Sequence, residues 1–506
     1  MSHEDQQALG NPATGTDTGA GTVGNHDTRQ RGVLIVGGGP AGSVAAAALA
    51  REGVRVRLID AAHFPRYHVG ESLTPSCRTV LETIGIAKTL DEHGFVLKHG
   101  GAFRWDGDAW FFDWGSQLGV NSWQVDRYEF DKLLLDHAAA CGAEVRTGVS
   151  AKSVSFDDGG RPASVECVSD IGERFTIADF DYLIDATGRN GLLSTRHLDN
   201  RRPEPTLRNI AVWGYWRDTA VLPDTPLGGI NIISSPEGWY WVIPLAGDRT
   251  GIGFVTRKEY LAERRPEFAS LAEMYRALVD QSATVRALVD GARYTGPARA
   301  ETDYSYCADW FCGPGYMLVG DAACFLDPLL STGVHLALYS ALNAAACIAS
   351  TYRGEVDEAT ASGFFEFSYR RAYTRLFALV NVMYERYLGK DGFFRVSDRL
   401  IGADGPDAAS RPVTSGSFVE IIAGLADLRE AADAGTRVLT ERLVEEALQV
   451  QRRTVAAADG PGMPDFSSVL ENPLRDAESA EYRLVTMPRL GLERTGPARR
   501  REQSRP

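Results

Sequence analysis

Lysine is scarce in this chain. Six of its 53 basic residues are lysine, at positions 88, 98, 132, 152, 258 and 390, and the rest are arginine. A guanidinium stays protonated and cannot supply a free amine, so in such a chain each lysine is a place to look for amine chemistry. Basic charge as a whole is also short. A net charge of -14 argues against nucleic acid and against an anionic membrane surface as partners. No run approaches the ~20 uninterrupted apolar residues that cross a bilayer. The first thirty residues lack the basic start and apolar core of a signal peptide and are rich in Gly, Thr, Asp and Asn, so 1–30 reads as a disordered tail. Seven cysteines include no C-x-x-C pair and no His/Cys cluster with zinc spacing, which points to reduced, buried thiols, a cytoplasmic setting and no metal. With 44% hydrophobic residues, 506 residues can bury a large core, and the length suggests two or three domains.

The ordered part opens with Val33 to Val36, then Gly37-x-Gly39-x-x-Gly42, with Ala41 at the start of an alanine-rich helix. A second strand ends in Asp60. This strand–loop–helix–strand setting is what a dinucleotide fingerprint needs: glycines let backbone N–H groups approach a diphosphate, and the acidic residue takes the ribose hydroxyls. Further on, "EGWYWVIPL" (Glu237 to Leu245) reads as a strand. It puts Trp239 and Trp241 on one face, either as sheet core or as something more specific. From about 355 the pattern is helical, with Phe364, Phe365, Phe367, Tyr369, Tyr373, Phe377, Tyr384 and Tyr387 in one stretch. That face packs on a core or lines a cavity for an aromatic substrate. "GADGPDAASRP" reads as a linker, 417–457 as helix, and the basic end of the chain as a disordered tail.

Two later stretches ask which dinucleotide is bound. Asp181 to Gly191 runs from a strand into Ala186-Thr187-Gly188, and Gly315 to Leu338 carries Gly320-Asp321 before a turn and a helix start. Together with the first fingerprint they resemble the FAD-binding fold of the p-hydroxybenzoate hydroxylase type. The resemblance implies an α/β protein: a Rossmann-like FAD-binding domain (about 31–90, 126–205 and 300–350) interleaved with a large mixed substrate sheet (about 95–125 and 205–300). Helices over 355–395 complete a 31–395 module, and a helical C-terminal region follows over 396–506. Asp321 would hold the ribityl chain, Gly188 would line the cofactor, and Gln124 and Arg127 would reach the flavin and its phosphates. Asp303 is a candidate for the flavin's dimethylbenzene edge.

"FPRYHVGESLTPS", the Trp-x-Trp-x-Ile-Pro of Glu237 to Leu245 and "DPLLSTGVH" resemble the flavin-dependent halogenases over about residues 31–390. Within them the chain looks closer to enzymes of phenolic or carrier-protein-bound aromatic substrates than to the tryptophan halogenases. The resemblance implies FAD, delivered reduced by a separate flavin reductase, with chloride and O2 as co-substrates. Hypochlorous acid formed there travels to a second chamber and chlorinates an electron-rich, tyrosine-like ring in natural-product biosynthesis. Ser331, Thr332 and Gly333 are the candidate halide site, Trp239 and Trp241 an aromatic wall beside the flavin, Lys98 the amine that captures or orients the oxidant, and Glu71 a group that orients Lys98 or the oxidant. Leu330 stands where tryptophan halogenases carry a glutamate, which favours a phenol that activates its own ring. The competing readings are an FAD-dependent aromatic hydroxylase of the same fold and a flavin fold kept as a scaffold.

Overall fold

Val33–Val36 is buried along its whole length, as a β-branched run inside a parallel sheet must be. The computed structural model describes residues 32–384, 388–401, 412–433 and 481–495. Val33–Val36 lies between Val56–Asp60 and Tyr182–Asp185, all parallel. Tyr316–Leu318 and Glu144–Thr147 extend the sheet on either side, and Cys312–Gly313 closes one edge as a hairpin. The helix Pro40–Arg51 follows the first strand directly, with proline at its start and alanines buried along its length.

A nine-stranded mixed sheet is built from Gly100–Trp105, Asp108–Asp113, Arg201–Arg217, Ile230–Ser235, Gly238–Leu245, Arg249–Arg257, Arg293–Tyr294, Arg299–Ala308 and Cys324–Phe325. Its one parallel junction joins Ile230–Ser235 to Gly100–Trp105. Period-two alternation divides it into two faces. Phe103, Trp213, Ile232, Trp239, Trp241 and Val255 belong to the main core. Ala102, Val212, Ile233, Tyr240, Val242 and Phe254 belong to a second, smaller core under Leu271–Gln281 and its neighbouring helices.

Several segments differ from the expected division of the chain. Arg299–Ala308 pairs with Arg201–Arg217 and so joins the large sheet rather than the nucleotide-binding part. Residues 149–177 form a separate three-stranded antiparallel sheet. In the C-terminal region, expected to be helical, Gly416–Ile422 and Leu425–Ala431 are helices, but Tyr482–Val485 and Gly491–Arg494 form a hairpin. Most of the expected linker, the 417–457 helix beyond 433, Tyr387 and the two terminal tails lie outside the described residues.

Gly333–Tyr352 is, among the described residues, the one helix long and apolar enough to cross a bilayer, although no apolar run in the sequence reaches that length uninterrupted. It is buried along nearly all of its length, packed against Pro40–Arg51 and Glu358–Tyr384 as the central helix of the main core. Glu358–Tyr384 carries the aromatic stretch, and its phenylalanines are buried.

Candidate active site

The glycine loop is shaped by close backbone packing. A Cβ on Gly42 would sit 1.8 Å from the Gly37 carbonyl oxygen, and one on Gly37 would sit 2.1 Å from that of Ala186. Gly39 N-caps Pro40–Arg51, and among the described residues no side chain caps the first turn and no acid lies in it. Such a helix start, with Ala41 buried inside it, suits a diphosphate. Asp60 accepts from the backbone N–H of Gly38 at 2.6 Å and of Ala62 at 2.7 Å, which fixes its carboxylate at the loop. Gly188 is left-handed at φ 60°, with open space where a Cβ would be. Burial pushes the Asp321 carboxyl up, against the pull of Arg189, Arg127 and Arg201. Asp321 also ties its carbonyl to the Tyr306 hydroxyl at 2.6 Å. These residues fit a dinucleotide with a ribityl chain.

Two expected cofactor contacts are differently engaged. Arg127 is buried, and its guanidinium grips Asp131 at 2.7 and 3.0 Å and donates to the carbonyls of Val69 and Gly70. It anchors the 66–70 loop instead of presenting a free fork to phosphate. The cation at the glycine loop is Arg66, whose Nη2 lies 3.3 Å from where a Gly39 Cβ would be. Arg66 stands inside "FPRYH", yet its reach to a loop 27 positions earlier is not written in the motif. Gln124 is buried and donates to the Gly228 carbonyl at 2.9 Å, while its Oε1 has no partner among the described residues. Asp303 lies on Arg299–Ala308, and its side chain is outside the described part.

The two indoles do share a face. Trp239 and Trp241 have centroids 6.0 Å apart and are 1% and 7% exposed. The register explains how they fit. Trp213, Gly253, Trp241, Ile232, Phe103 and Trp110 are successive cross-strand partners, so they form one row. Gly253 is the gap in that row: a Cβ there would lie 2.1 Å from the Trp241 ring. Phe103 and Trp110 stack at 4.8 Å. Trp239 Nε1 donates to the Tyr384 hydroxyl at 2.8 Å, which donates to Asp327 Oδ2 at 2.8 Å; Asn209 donates to the same oxygen. Burial pushes the Asp327 carboxyl up. Asp327 Oδ1 caps Leu329 N–H at 3.0 Å. The Trp239 indole is thereby tied to residues 327–333, a link the sequence did not reveal although both motifs were legible.

Within that loop Ser331 is left-handed at φ 58°, which costs a serine about 1 kcal/mol. Thr332 is fully buried, and its hydroxyl has no partner among the described residues. Gly333 opens the Gly333–Tyr352 helix with open space at its Cβ position and no acid in the first turn. Strain, an orphan hydroxyl and an uncapped helix start in one loop fit an anion.

Lys98 inverts the usual alternation of its strand. Leu97 is 40% exposed, while Lys98 is 1% exposed. Its Nζ donates to Ser72 Oγ at 2.7 Å and the Leu73 carbonyl at 3.0 Å, and lies 4.7 Å from the centroid of the Trp114 ring. Burial brings its pKa down to about 7, partly offset by Cys77. Glu71 turns the other way. It accepts from the Tyr215 hydroxyl at 2.7 Å, and burial pushes its carboxyl up to about 7 against Tyr215 and Arg249. The residue that meets Lys98 is thus Ser72, next in sequence to Glu71.

The chain matches the FAD binding domain family over residues 30–363, so the fold and its glycine loop define an FAD-binding protein. It is 39% identical over 407 residues to tryptophan 2-halogenase of Chondromyces crocatus, covering 80% of this chain and 77% of that one. Flavin-dependent halogenase gsfI of Penicillium aethiopicum is 36% identical over 492 residues, with 90% of both chains covered. Among solved structures, the myxobacterial chondrochloren halogenase CndH superposes with a TM-score of 0.65 at 29% identity, over 78% of this chain and 96% of that one. The chain belongs to the flavin-dependent halogenases.

Proposed function

We propose that this halogenase chlorinates an electron-rich phenolic ring, tyrosine-like and either free or carried on a peptidyl carrier protein, with Lys98 as the halogen-transferring amine. The observation that carries this reading is a fully buried amine whose Nζ lies 4.7 Å from the centroid of the Trp114 ring. FAD, reduced by a separate reductase, would supply the oxygen-activating chemistry that turns chloride into hypochlorous acid. Gly37, Gly39, Ala41, Gly42, Asp60, Gly188 and Asp321 would hold it. Ser331, Thr332 and Gly333 would hold chloride through the orphan hydroxyl and backbone N–H groups. Trp239 and Trp241 would exclude water and keep the organic ring away from the flavin.

Near pH 7 about half of Lys98 is neutral. Its lone pair can then attack the chlorine of hypochlorous acid: the N–Cl bond forms, the O–Cl bond breaks, and the departing hydroxide takes a proton from the amine as water. The ring carbon next takes the chlorine, the N–Cl electron pair returns to nitrogen, and the ring proton leaves to solvent. Leu330 offers no carboxylate at its own position, which favours a substrate whose own hydroxyl activates the ring. An indole is the competing substrate, because a relative named a tryptophan halogenase is 39% identical.

Mass spectrometry of a panel of phenolic acids, carrier-bound tyrosyl thioesters and indoles tests this, with FAD, a reductase, NADH, chloride and air. A chlorinated phenol supports the reading. Chlorination of indoles alone overturns the phenolic part, and hydroxylated product in halide-free buffer overturns the mechanism.

A further inference from the structure

A buried serine–histidine–aspartate line lies behind Lys98. Ser76 is in Pro75–Thr83, His335 in the first turn of Gly333–Tyr352, and Asp427 on Leu425–Ala431. Ser76 Oγ and His335 Nδ1 are 2.8 Å apart, and His335 Nε2 and Asp427 Oδ2 are 2.8 Å apart. The three residues are 0%, 1% and 2% exposed. Burial alone would push the Asp427 carboxyl up, but Arg375, His335 and Arg371 together hold it below its ordinary value. A charged Asp427 accepts from Nε2–H, and Nδ1 carries the hydrogen bond to Ser76 Oγ.

The arrangement resembles a nucleophilic triad, yet no substrate reaches it. Gly424, left-handed at φ 69°, closes over it so tightly that a Cβ there would lie 2.3 Å from Ser76 Oγ and 2.7 Å from His335 Nδ1. What the line does reach is the cradle of Lys98. Ser76 Oγ lies 2.8 Å from Thr74 Oγ1. Ser122, the cross-strand partner of Lys98, donates to the Thr74 carbonyl at 2.9 Å. Both acceptors of the amine, Ser72 Oγ and the Leu73 carbonyl, belong to the same short segment. A backbone bond from Ser76 N–H to the Ala423 carbonyl, 2.9 Å, runs alongside. On the far side Arg375 pairs with both Asp427 and Glu430, and Arg371 with Glu430 at 3.1 Å, which fixes Leu425–Ala431 to Glu358–Tyr384.

We infer that Asp427, acting through His335 and Ser76, is a positioning residue for Lys98, and that residues 416–431 are therefore a working part of the halogenating site. His335 is two positions beyond Gly333, so one side chain joins the candidate halide loop, the lysine cradle and the C-terminal helices. The inference rests on the role given to Lys98 above. Buried hydrogen-bonded side chains with one arrangement can set geometry to the few tenths of an ångström that a transfer step requires.

The test uses the full-length holoenzyme with Ser76→Ala, which deletes the hydroxyl, and Gly424→Ala, which wedges the line apart. Three quantities are read: chlorinated product per hydrogen peroxide released, FAD affinity, and the pH of half-maximal Lys98 labelling by trace acetic anhydride. With six lysines in the chain, the Lys98 peptide is readily followed by mass spectrometry. We expect product per peroxide to fall about tenfold in both variants while FAD affinity stays within about twofold. The half-labelling pH should rise by about one unit as water reaches the amine. Unchanged labelling and product ratio in both variants overturns the inference. So does a parallel loss of FAD affinity, which marks a strut of the fold. If one variant fails to fold, the other decides. A wild-type enzyme that chlorinates nothing, with the labelling shift present in the variants, sinks the proposed function and leaves the positioning intact.

Discussion

The two faces of the large sheet are made from the same strands and the same kinds of residue, yet they are finished differently. On the smaller-core face the long buried polar tips are tied down, with the Tyr294 hydroxyl as an exception. Tyr240 donates to the Leu278 carbonyl at 2.6 Å, Trp216 to Tyr275 at 2.8 Å, and Tyr275 to the Ile252 carbonyl at 2.8 Å. The face toward the nucleotide-binding domain, with the segments packed against it, gathers a buried lysine, a carboxylic acid with a raised pKa, a left-handed serine and a buried threonine hydroxyl without a partner. Aromatic content does not separate a structural face from a chemical one. The separation lies in a buried amine, a buried carboxyl group and a strained loop, which cost a fold free energy to keep.

The most severe way to break the comparison is at Lys98. Lys98→Ala and Lys98→Arg are each expected to lower chlorination at least about a thousandfold, roughly 4 kcal/mol of barrier, while FAD binding and peroxide release persist. Product and peroxide measured together would show it, and a Lys98→Arg enzyme keeping a tenth of the rate would remove the amine from the mechanism.

Next comes the wall. Trp239→Leu removes a fully buried ring and its bond to Tyr384, and is expected to cost about 2–4 kcal/mol in denaturant unfolding. The same variant should release a larger share of peroxide. The matching change on the other face, Tyr240→Phe, removes only a hydroxyl. It should cost about 1 kcal/mol with product per peroxide unchanged, and a shift in that ratio would blur the distinction between the faces.

Glu71 sharpens the comparison through pH. Its folded pKa, about 7, lies above its ordinary 4.5, so the folded state binds the extra proton. The stability this gives is present below about 4.5 and is lost as pH rises toward 7, at up to about 1.4 kcal/mol per pH unit. Unfolding curves across that window should flatten in Glu71→Gln. Lys98 acts in the opposite sense: with its pKa down from 10.5 to about 7, chlorination should rise with pH through about 7. A profile falling over that range would mean the charged amine is the working form.

Much of this was legible because it is local. Glycine spacing located the cofactor loop, and two tryptophans two positions apart on a strand had to share a face. Lys98 stood out because the chain has so little lysine and its neighbours are apolar. What stayed hidden depends on long closures. Ser72 meets Lys98 from 26 positions away, His335 meets Ser76 from 259, and Asp427 meets His335 from 92. Glu71 was singled out in place of Ser72 because adjacent residues on an extended segment point to opposite sides, and sequence alone does not say which side faces the lysine. Arg127 is an exception, because its acid partner Asp131 lies four residues on in its own helix, a pairing that the sequence spacing already offered. The hairpin at 482–494 has strands of four residues each, too short for periodicity to declare.

Gly253 has a consequence for how such a chain can change over time. The Trp241 indole lies where a neighbour's first side-chain carbon would be, so ring and vacancy are inherited as one unit. Enlarging Gly253 by itself evicts the ring, and shrinking Trp241 by itself leaves a hole in the main core. A lineage, or an engineer, wishing to reshape this row must alter both strands together. Moving the bulk from the 241 position to the 253 position is the exchange that conserves volume while carrying the ring one strand sideways.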